Sequence, residues 1–272
     1  MTFEHLCLTH PPTTPRLIDT VFVADVHLSQ DTPQLTDAFI ALLGQLSRLP
    51  KLHSLYILGD WLDAWIGDDD YLSLCPKQRA NHWLCPVLLA LQALRQRTQI
   101  FVMRGNRDFM LRQGLCDVFG GTLIDEPYFI CTHKQTYRLE HGDKLCTDDK
   151  QYQRYRRIVR HPVVSWLLLK QPLHKRQQLA QKIKNKSAQN KTQKTPQIMD
   201  TNPASVNQAL STCDVLIHGH THRPCTHISD NKSRLVLGDW RHQQHQVSAV
   251  IGVLSHGDVG LYEFLWVDEP KS

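Results

Sequence analysis

The sequence lacks any apolar run long enough to span a bilayer, which takes about 18 consecutive apolar residues. The longest such run is VVSWLLL at 163–169. The first twenty residues have neither a basic start nor a continuous apolar segment, so no secretory signal is visible and we expect a cytosolic location. None of the eight cysteines belongs to a CxxC pair, which excludes the usual zinc-ribbon and thioredoxin-type motifs. We therefore predict a soluble globular protein with reduced cysteines.

Acidic residues are absent from residues 150–199, although this segment carries thirteen Lys or Arg. The rest of the chain has 18 basic (31 − 13) and 26 acidic residues, so a basic segment is set into an acidic protein. Its apolar residues recur at helical intervals, and Pro162 and Pro172 divide it into short helices. A solvated basic face is the simplest interpretation. The apolar faces favour instead an anionic partner with apolar parts: a lipid phosphate, a membrane surface or a nucleic acid.

Outside this segment, short apolar runs alternate with helical stretches. Examples are VFVA at 21–24, LYIL at 55–58 and IFVM at 100–103, each followed by a helical pattern or a turn. Such alternation predicts an α/β layered fold whose strands are covered on both faces. We expect residues 1–149 and 200–272 to form one core domain and residues 150–199 to be an insert.

Polar residues of the kinds that bind metals follow five of the predicted strands. In open α/β sheets the carboxyl ends of the strands line the ligand site, so these residues should converge. Each short motif alone is weak evidence, but three His at alternate positions in HGHTH (218–222) would crowd titrating groups together unless a cation held them. The candidates are Asp25, His27, Asp60, Asn106, His141, His218, His220 and His222.

These residues, in this order, resemble the calcineurin-like metallophosphoesterases. The pattern D-x-H, G-D, G-N, H, G-H-x-H of that superfamily is met over residues 18–265. Within it, longer strings resemble the family of UDP-2,3-diacylglucosamine hydrolases of lipid A synthesis. Those strings are LGDWLDAWIGDDD (58–70), GNRDFML (105–111), HGDKLCTDD (141–149), IMD (198–200) and IHGHTHRP (217–224).

The resemblance implies a layered β-sandwich flanked by helices, with an inserted helical cap and two Mn²⁺ ions per chain. In that arrangement Asp25, His27, Asp60 and His222 hold one ion, and Asp60, Asn106, His141 and His220 hold the other. Asp60 is then shared between the ions. We expect His218 to orient the ligands.

Arg107 marks a departure from the wider superfamily, in which many members have His after the Asn. Arg cannot act as a general acid at neutral pH, but it can pair with a phosphate and stabilise the charge that develops on it. This favours hydrolysis of a pyrophosphate bond over that of a phosphomonoester. We expect Asp60, Asn106 and Arg107 to be catalytic.

The resemblance also implies a substrate, UDP-2,3-diacylglucosamine. Water would attack its α-phosphorus to give UMP and 2,3-diacylglucosamine 1-phosphate (lipid X). The protein would be a monomer, peripherally bound to the cytoplasmic face of the inner membrane, with no nucleic-acid partner. The substrate contacts so implied are Asn106, Arg107, Asp149, Ser187, Lys191, Lys194 and His220, of which Lys191 stands where the family has Asn.

Two alternatives to this function stay open. One is another nucleotide pyrophosphatase, or a nuclease whose basic segment grips nucleic acid and whose binding depends steeply on salt. The other is a scaffold or RNA-binding module with an inactive site, which the complete ligand set disfavours.

Two further patterns lie near Asp60. Asp68, Asp69 and Asp70 are expected in a solvated loop or at a helix start. Trp61 and Trp65 are expected to pack in the core.

Overall fold

The fold is built from two β-sheets. The structure is a computed structural model that describes residues 4–5, 18–132, 135–193, 198 and 200–268, with the backbone alone at 4–5 and 184–193. Over those residues the strands are β1 Glu4–His5, β2 Ile18–Val23, β3 Ser54–Leu58, β4 Gln99–Met103, β5 Thr122–Ile124, β6 Tyr128–Cys131, β7 Thr136–Leu139, β8 Val215–His218, β9 Cys225–Ser229, β10 Lys232–Val236, β11 Gly238–Gln243, β12 Gln246–Ser255 and β13 Asp258–Val267.

The larger sheet has the order β1-β13-β12-β2-β3-β4-β5, with β11 paired to β12, which makes eight strands among the described residues. Strands β2 to β5 run parallel to one another. Strands β12 and β13 close the sheet as an antiparallel pair. The carboxyl ends of β2, β3 and β4 therefore lie side by side at one edge.

The smaller sheet has the order β6-β7-β8-β10-β9, with β7, β8 and β10 parallel. Its inner face packs on the larger sheet through a core that includes Phe22, Leu58 and Met103 from one sheet and Leu139 and Ile217 from the other. The predicted layered β-sandwich is confirmed by this packing.

Helices cover the outer face of the larger sheet. The helices that contribute to the core on this face are α1 Pro33–Leu46, α2 Asp69–Leu72, α4 Cys85–Arg95 and α5 Gln113–Phe119, while the short helix α3 Pro76–Ala80 has no buried residue. In α1 the buried apolar residues recur every three or four positions, which places them on one stripe against the sheet. They are Leu35, Ala38, Phe39, Leu42, Leu43 and Leu46.

The described part of the basic segment contains three helices separated at the two prolines, as predicted: α6 Lys150–Val159, α7 Pro162–Leu169 and α8 Leu173–Gln193. At 21 residues, α8 is longer than the short helix that was expected. Pro162 occupies the first turn of α7, where its missing N–H costs no hydrogen bond. A last helix, α9 Pro203–Leu210, packs on the outer face of the smaller sheet. None of the helices in the described part of the chain combines the length and apolar character needed to cross a bilayer.

The expectations for both patterns near Asp60 are confirmed, with one addition. Asp68, Asp69 and Asp70 lie at the start of α2, but Asp68 is not solvated: its carboxylate is buried and accepts hydrogen bonds from Trp65 Nε1 (3.1 Å), Arg112 N (3.0 Å) and Leu115 N (2.8 Å). Arg112 and Leu115 are more than forty positions away along the chain, so the local acidic pattern could not indicate this burial. Trp61 and Trp65 are both buried in the core, as predicted.

Candidate metal centre

Two groups of potential metal ligands lie where the two sheets meet. One contains Asp25, His27 and His222, and the other Asp25, Asp60 and His141; within each group the ligand atoms lie within 4.8 Å of one another. Asp25 and His27 follow β2, Asp60 follows β3, His141 follows β7 and His222 follows β8. Parallel pairing within each sheet brings these strand ends together.

The Asp60 carboxylate lies between two halves of this cluster. Its Oδ2 is 3.9 Å from His27 Nε2, and its Oδ1 is 3.7 Å from His141 Nε2. On one side His27 Nε2 lies 3.3 Å from His222 Nε2. On the other, His141 Nε2 lies 3.0 Å from Asn106 Oδ1. A carboxylate with atoms facing both halves is suited to bridging two cations.

His220 completes the predicted set beside the second half. Its ring centroid is 5.1 Å from that of His141, and its backbone N–H donates to Asp25 Oδ2 over 2.8 Å. The structure therefore brings all seven predicted ligands to one place. Which ion each would hold stays a prediction.

The backbone around these side chains is unusual. Five of the seven predicted ligands have a left-handed conformation, with φ between 49° and 69°. Such a conformation costs a non-glycine residue about 1–3 kcal/mol and persists only where the surroundings enforce it. The five are Asp25, His27, Asp60, His220 and His222.

Two glycines allow these loops to approach one another. A Cβ atom at Gly105 would overlap the Asp60 carboxylate, and one at Gly219 would overlap that of Asp25. Any larger residue at either position would push a candidate ligand out of the cluster.

The electrostatics of the cluster suit a cation. Burial raises the pKa of both Asp25 and Asp60. Burial alone would lower the pKa of His141, but Asp60 and Asp25 raise it to about 9, which reveals a strongly negative potential. Asp25 Oδ1 is buried without a hydrogen-bond partner among the described residues. Carboxylate, imidazole and amide donors match Mn²⁺, Zn²⁺ or iron, so the residues present fit a divalent metal.

Hydrogen bonds from outside the cluster orient two of its imidazoles. His141 Nδ1 lies 3.0 Å from the carbonyl oxygen of Leu58, and His222 Nδ1 lies 2.8 Å from Asp239 Oδ1. Both partners only accept, so each Nδ1 donates and each Nε2 keeps its lone pair for a metal. Asp239 was not predicted from the sequence. Its signal was the string LGDW, which occurs at 237–240, just after β10, as well as at 58–61, where it contains Asp60.

Arg107 lies at the half-exposed edge of the cluster. Its Nη1 donates to Asp63 Oδ1 over 2.7 Å, and its Nε lies 4.0 Å from Asp60 Oδ2.

Asp108, the residue after Arg107, was also not predicted from the sequence. It is fully buried and accepts from the backbone N–H of Gly105 (2.6 Å) and Trp61 (2.9 Å), which ties the Asn106 loop to the Asp60 loop. Burial raises the pKa of Asp108 to about 6.

The other predicted site residues have varied settings. Asp149 caps α6, because its Oδ1 accepts from the backbone N–H of Tyr152 over 3.0 Å. The side chains of Ser187 and Lys191 and the whole of Lys194 lie outside the described residues. His218 is buried with Nδ1 2.9 Å from the carbonyl oxygen of Gly219, and burial lowers its pKa to about 3. Its orienting role stays a prediction.

A cleft of about 650 Å³ separates α7 from the loop that leads to Asn106. Apolar, basic and acidic side chains share its walls. The apolar ones include Met103, Phe109, Ile124, Trp166 and Leu169, the basic ones are Arg104, Arg112, Lys144, Arg156 and Arg160, and the acidic ones are Asp125 and Glu126.

Residues 18–224 match the model of the family described as calcineurin-like phosphoesterase. The chain belongs to this family. It is 42% identical to a protein of Pseudomonas syringae pv. tomato named UDP-2,3-diacylglucosamine hydrolase and 40% identical to one of Pseudomonas fluorescens with the same name. In both cases the match covers 82% of this chain and 88% of the relative. Both levels of the resemblance inferred from the motifs are thus confirmed.

Among solved structures, an archaeal phosphodiesterase aligns with a TM-score of 0.45 at 14% identity. The alignment covers 91% of this chain and 99% of the archaeal one.

Proposed function

We propose that this calcineurin-like phosphoesterase hydrolyses the pyrophosphate bond of UDP-2,3-diacylglucosamine, releasing UMP and 2,3-diacylglucosamine 1-phosphate. One observation carries the proposal: a cleft with apolar and charged walls lies beside the cluster of metal-ligand residues, since Arg160 in its wall donates to the carbonyl oxygen of Gly105, directly before Asn106. That pairing suits a substrate with a diphosphate and two acyl chains. The name of the relatives supports the same substrate.

Two Mn²⁺ ions are the cofactors we propose for the cluster. Asp60 faces both halves and would be shared, with Asp25, His27 and His222 on one side and Asn106, His141 and His220 on the other. When bound, such ions polarise phosphoryl oxygens and lower the pKa of water. The chain contributes fixed ligand geometry, because outside hydrogen bonds hold His141 and His222.

Arg107 is the residue that we propose to stabilise the leaving group. Asp63 orients its guanidinium beside Asp60. A guanidinium stays charged at neutral pH and can form two parallel hydrogen bonds to a phosphate. Because the departing group is itself a phosphate, no general acid is required.

The basic segment at 150–199 is the part that we propose to act as a cap over the substrate. Trp166 and Leu169 would contact acyl chains in the cleft. On α7, Val163 is 57% exposed and Leu167 is 50% exposed, and both would face the membrane interface. Lys and Arg of the segment would meet lipid phosphates, which fits a monomer bound peripherally to the cytoplasmic face of the inner membrane. Asp149, Ser187, Lys191 and Lys194 remain proposed substrate contacts.

Hydrolysis of UDP-2,3-diacylglucosamine with added Mn²⁺ tests the proposal. We compare the wild type with Asp60→Ala and with the control Asp37→Ala, which removes an exposed carboxylate from α1. UMP release should fall at least about 100-fold in Asp60→Ala, because both halves of the cluster lose a ligand, and should be unchanged in Asp37→Ala. In water enriched in heavy oxygen, attack at the α-phosphorus places the label in UMP.

Two results would contradict this function. Label in the lipid product would move the attack to the other phosphorus. No turnover by folded wild type with Mn²⁺ bound would leave the family intact and reject this substrate, and we would then test other nucleotide diphosphates and single-stranded nucleic acid.

A further inference from the structure

The first helix of the basic segment is joined to the core by buried ion pairs. Arg156 on α6 and Arg160, which caps the C-terminal end of this helix, both contact Glu126 and Asp143. Asp143 is fully buried and Glu126 is nearly so. We call these four residues the arginine clamp.

Asp143 is the centre of the arginine clamp. Its Oδ2 accepts hydrogen bonds from Arg156 Nε (2.7 Å), Arg160 Nη2 (3.2 Å) and Tyr152 Oη (2.6 Å), all on or next to α6. Because Asp143 is fully buried, its carboxylate depends on the two arginines for compensation.

The arginine clamp reaches two loops that carry candidate metal ligands. Arg160 Nη2 donates to the carbonyl oxygen of Gly105 over 2.8 Å, directly before Asn106. Glu126 Oε2 accepts from the backbone N–H of His141 over 3.1 Å. The Asn106 loop is thus tied to Arg160, and the His141 loop is tied to both arginines through Glu126 and Asp143. Within these loops, His141 Nε2 lies 3.0 Å from Asn106 Oδ1, on one side of Asp60.

We propose that Arg160 is a positioning residue for the metal half formed by Asn106, His141 and His220, so that α6 is part of the metal centre rather than only a cover over the substrate. The inference rests on the proposed function, since it assumes that this half binds Mn²⁺. It assigns a task to the cap that substrate contact does not require. If Arg156 and Arg160 served only the substrate, their removal would leave metal binding unchanged.

Titration of the metal-free protein with Mn²⁺ tests this, with unbound Mn²⁺ followed by electron paramagnetic resonance. Arg160→Met should weaken binding of one of two ions about 10-fold, the usual order for loss of a partner outside the ligand shell, and leave the other unchanged. Arg156→Met keeps the bond to Gly105 and should have a smaller effect. The control is Arg157→Met, which removes a charge from an exposed position on the same helix.

Folding is checked by circular dichroism at the titration temperature, because a purely structural role would lower thermal stability without changing Mn²⁺ affinity in the folded protein. If Arg160→Met does not fold, Arg160→Lys replaces it. Lys retains the charge but not the fork that reaches Glu126, Asp143 and Gly105 together, so binding of one ion should still weaken at least about 3-fold.

Mn²⁺ binding within 2-fold of wild type for both ions, in a folded Arg160 variant, would overturn the inference and leave the proposed function standing. A wild type that binds no Mn²⁺ would overturn both. Equal weakening of both ions, or weakening in the Arg157→Met control, would replace the specific role of Arg160 with a general effect of charge.

Discussion

Helices α6 and α7 follow one another in the same basic segment, yet they meet the rest of the molecule in opposite ways. The side chains of Arg156 and Arg160 on α6 turn inward to buried carboxylates. On α7, Val163 and Trp166 are each 57% exposed, although they are apolar. The polar helix is thus joined to the core through buried ion pairs, whereas the apolar helix leaves much of its apolar surface exposed. A segment that composition presents as a single unit contains a part tied to the loops of the candidate metal ligands and a part with an exposed apolar face.

The largest effect should come from breaking the anchor of α6. Asp143→Ala leaves two arginines partly buried without their central acid, and loss of one partner of a buried pair costs about 3–5 kcal/mol. Urea unfolding should show this decrease in the free energy of unfolding. Asp37→Ala on α1 serves as the control and should change it by less than about 0.5 kcal/mol. A decrease below about 1 kcal/mol for Asp143→Ala would mean that α6 is only loosely attached.

Metal binding offers a second test of whether α6 and α7 have different roles. If α6 is part of the centre, Mn²⁺ at about 100 times its dissociation constant should stabilise it by up to about 2.7 kcal/mol against opening. Backbone amides of α6 should then exchange hydrogen more slowly with Mn²⁺ than with chelator, while amides of α7 should change little. The same slowing in both helices would contradict the distinction drawn between them.

The sequence contained enough to predict the fold class, the seven candidate ligands and the helices of the basic segment. Each of these depends on local patterns: apolar runs, polar residues at strand ends and prolines between helical stretches. The partners of those residues were not predictable in the same way. Asp239 lies 17 positions from His222, and Arg160 lies 55 positions from Gly105, so only the folded chain brings them together. For the same reason the buried role of Asp68 was missed.

On the other side of the cluster, Asp239 permits a test that leaves α6 untouched. Asp239→Asn keeps an acceptor for His222 Nδ1 but removes the charge that favours a basic imidazole. The ion held by His222 should bind about 10-fold more weakly, a loss of about 1.4 kcal/mol. Mn²⁺ titration measures this, and Asp258→Asn at the exposed start of β13 is the control. In a double variant, Asp239→Asn and Arg160→Met should each weaken the binding of a different ion. If both substitutions weaken the binding of the same ion, the division of the cluster into two halves is contradicted.

The smallest effect on stability should come from substituting an exposed apolar residue of α7. The same substitution should have the clearest effect on binding to lipid vesicles. Leu167→Ser removes an exposed apolar surface outside the cleft, so the free energy of unfolding should change by less than about 0.5 kcal/mol. Burial of a large apolar side chain contributes about 1.5 kcal/mol or more, so association with anionic phospholipid vesicles should weaken about 10-fold. Leu89→Ser on α4 is the matched control, because Leu89 is 59% exposed and Leu167 is 50% exposed. If both variants bind vesicles equally, the exposed apolar face of α7 does not contact the membrane, and the proposed lipid contact of this helix would be limited to the cleft that Trp166 and Leu169 line.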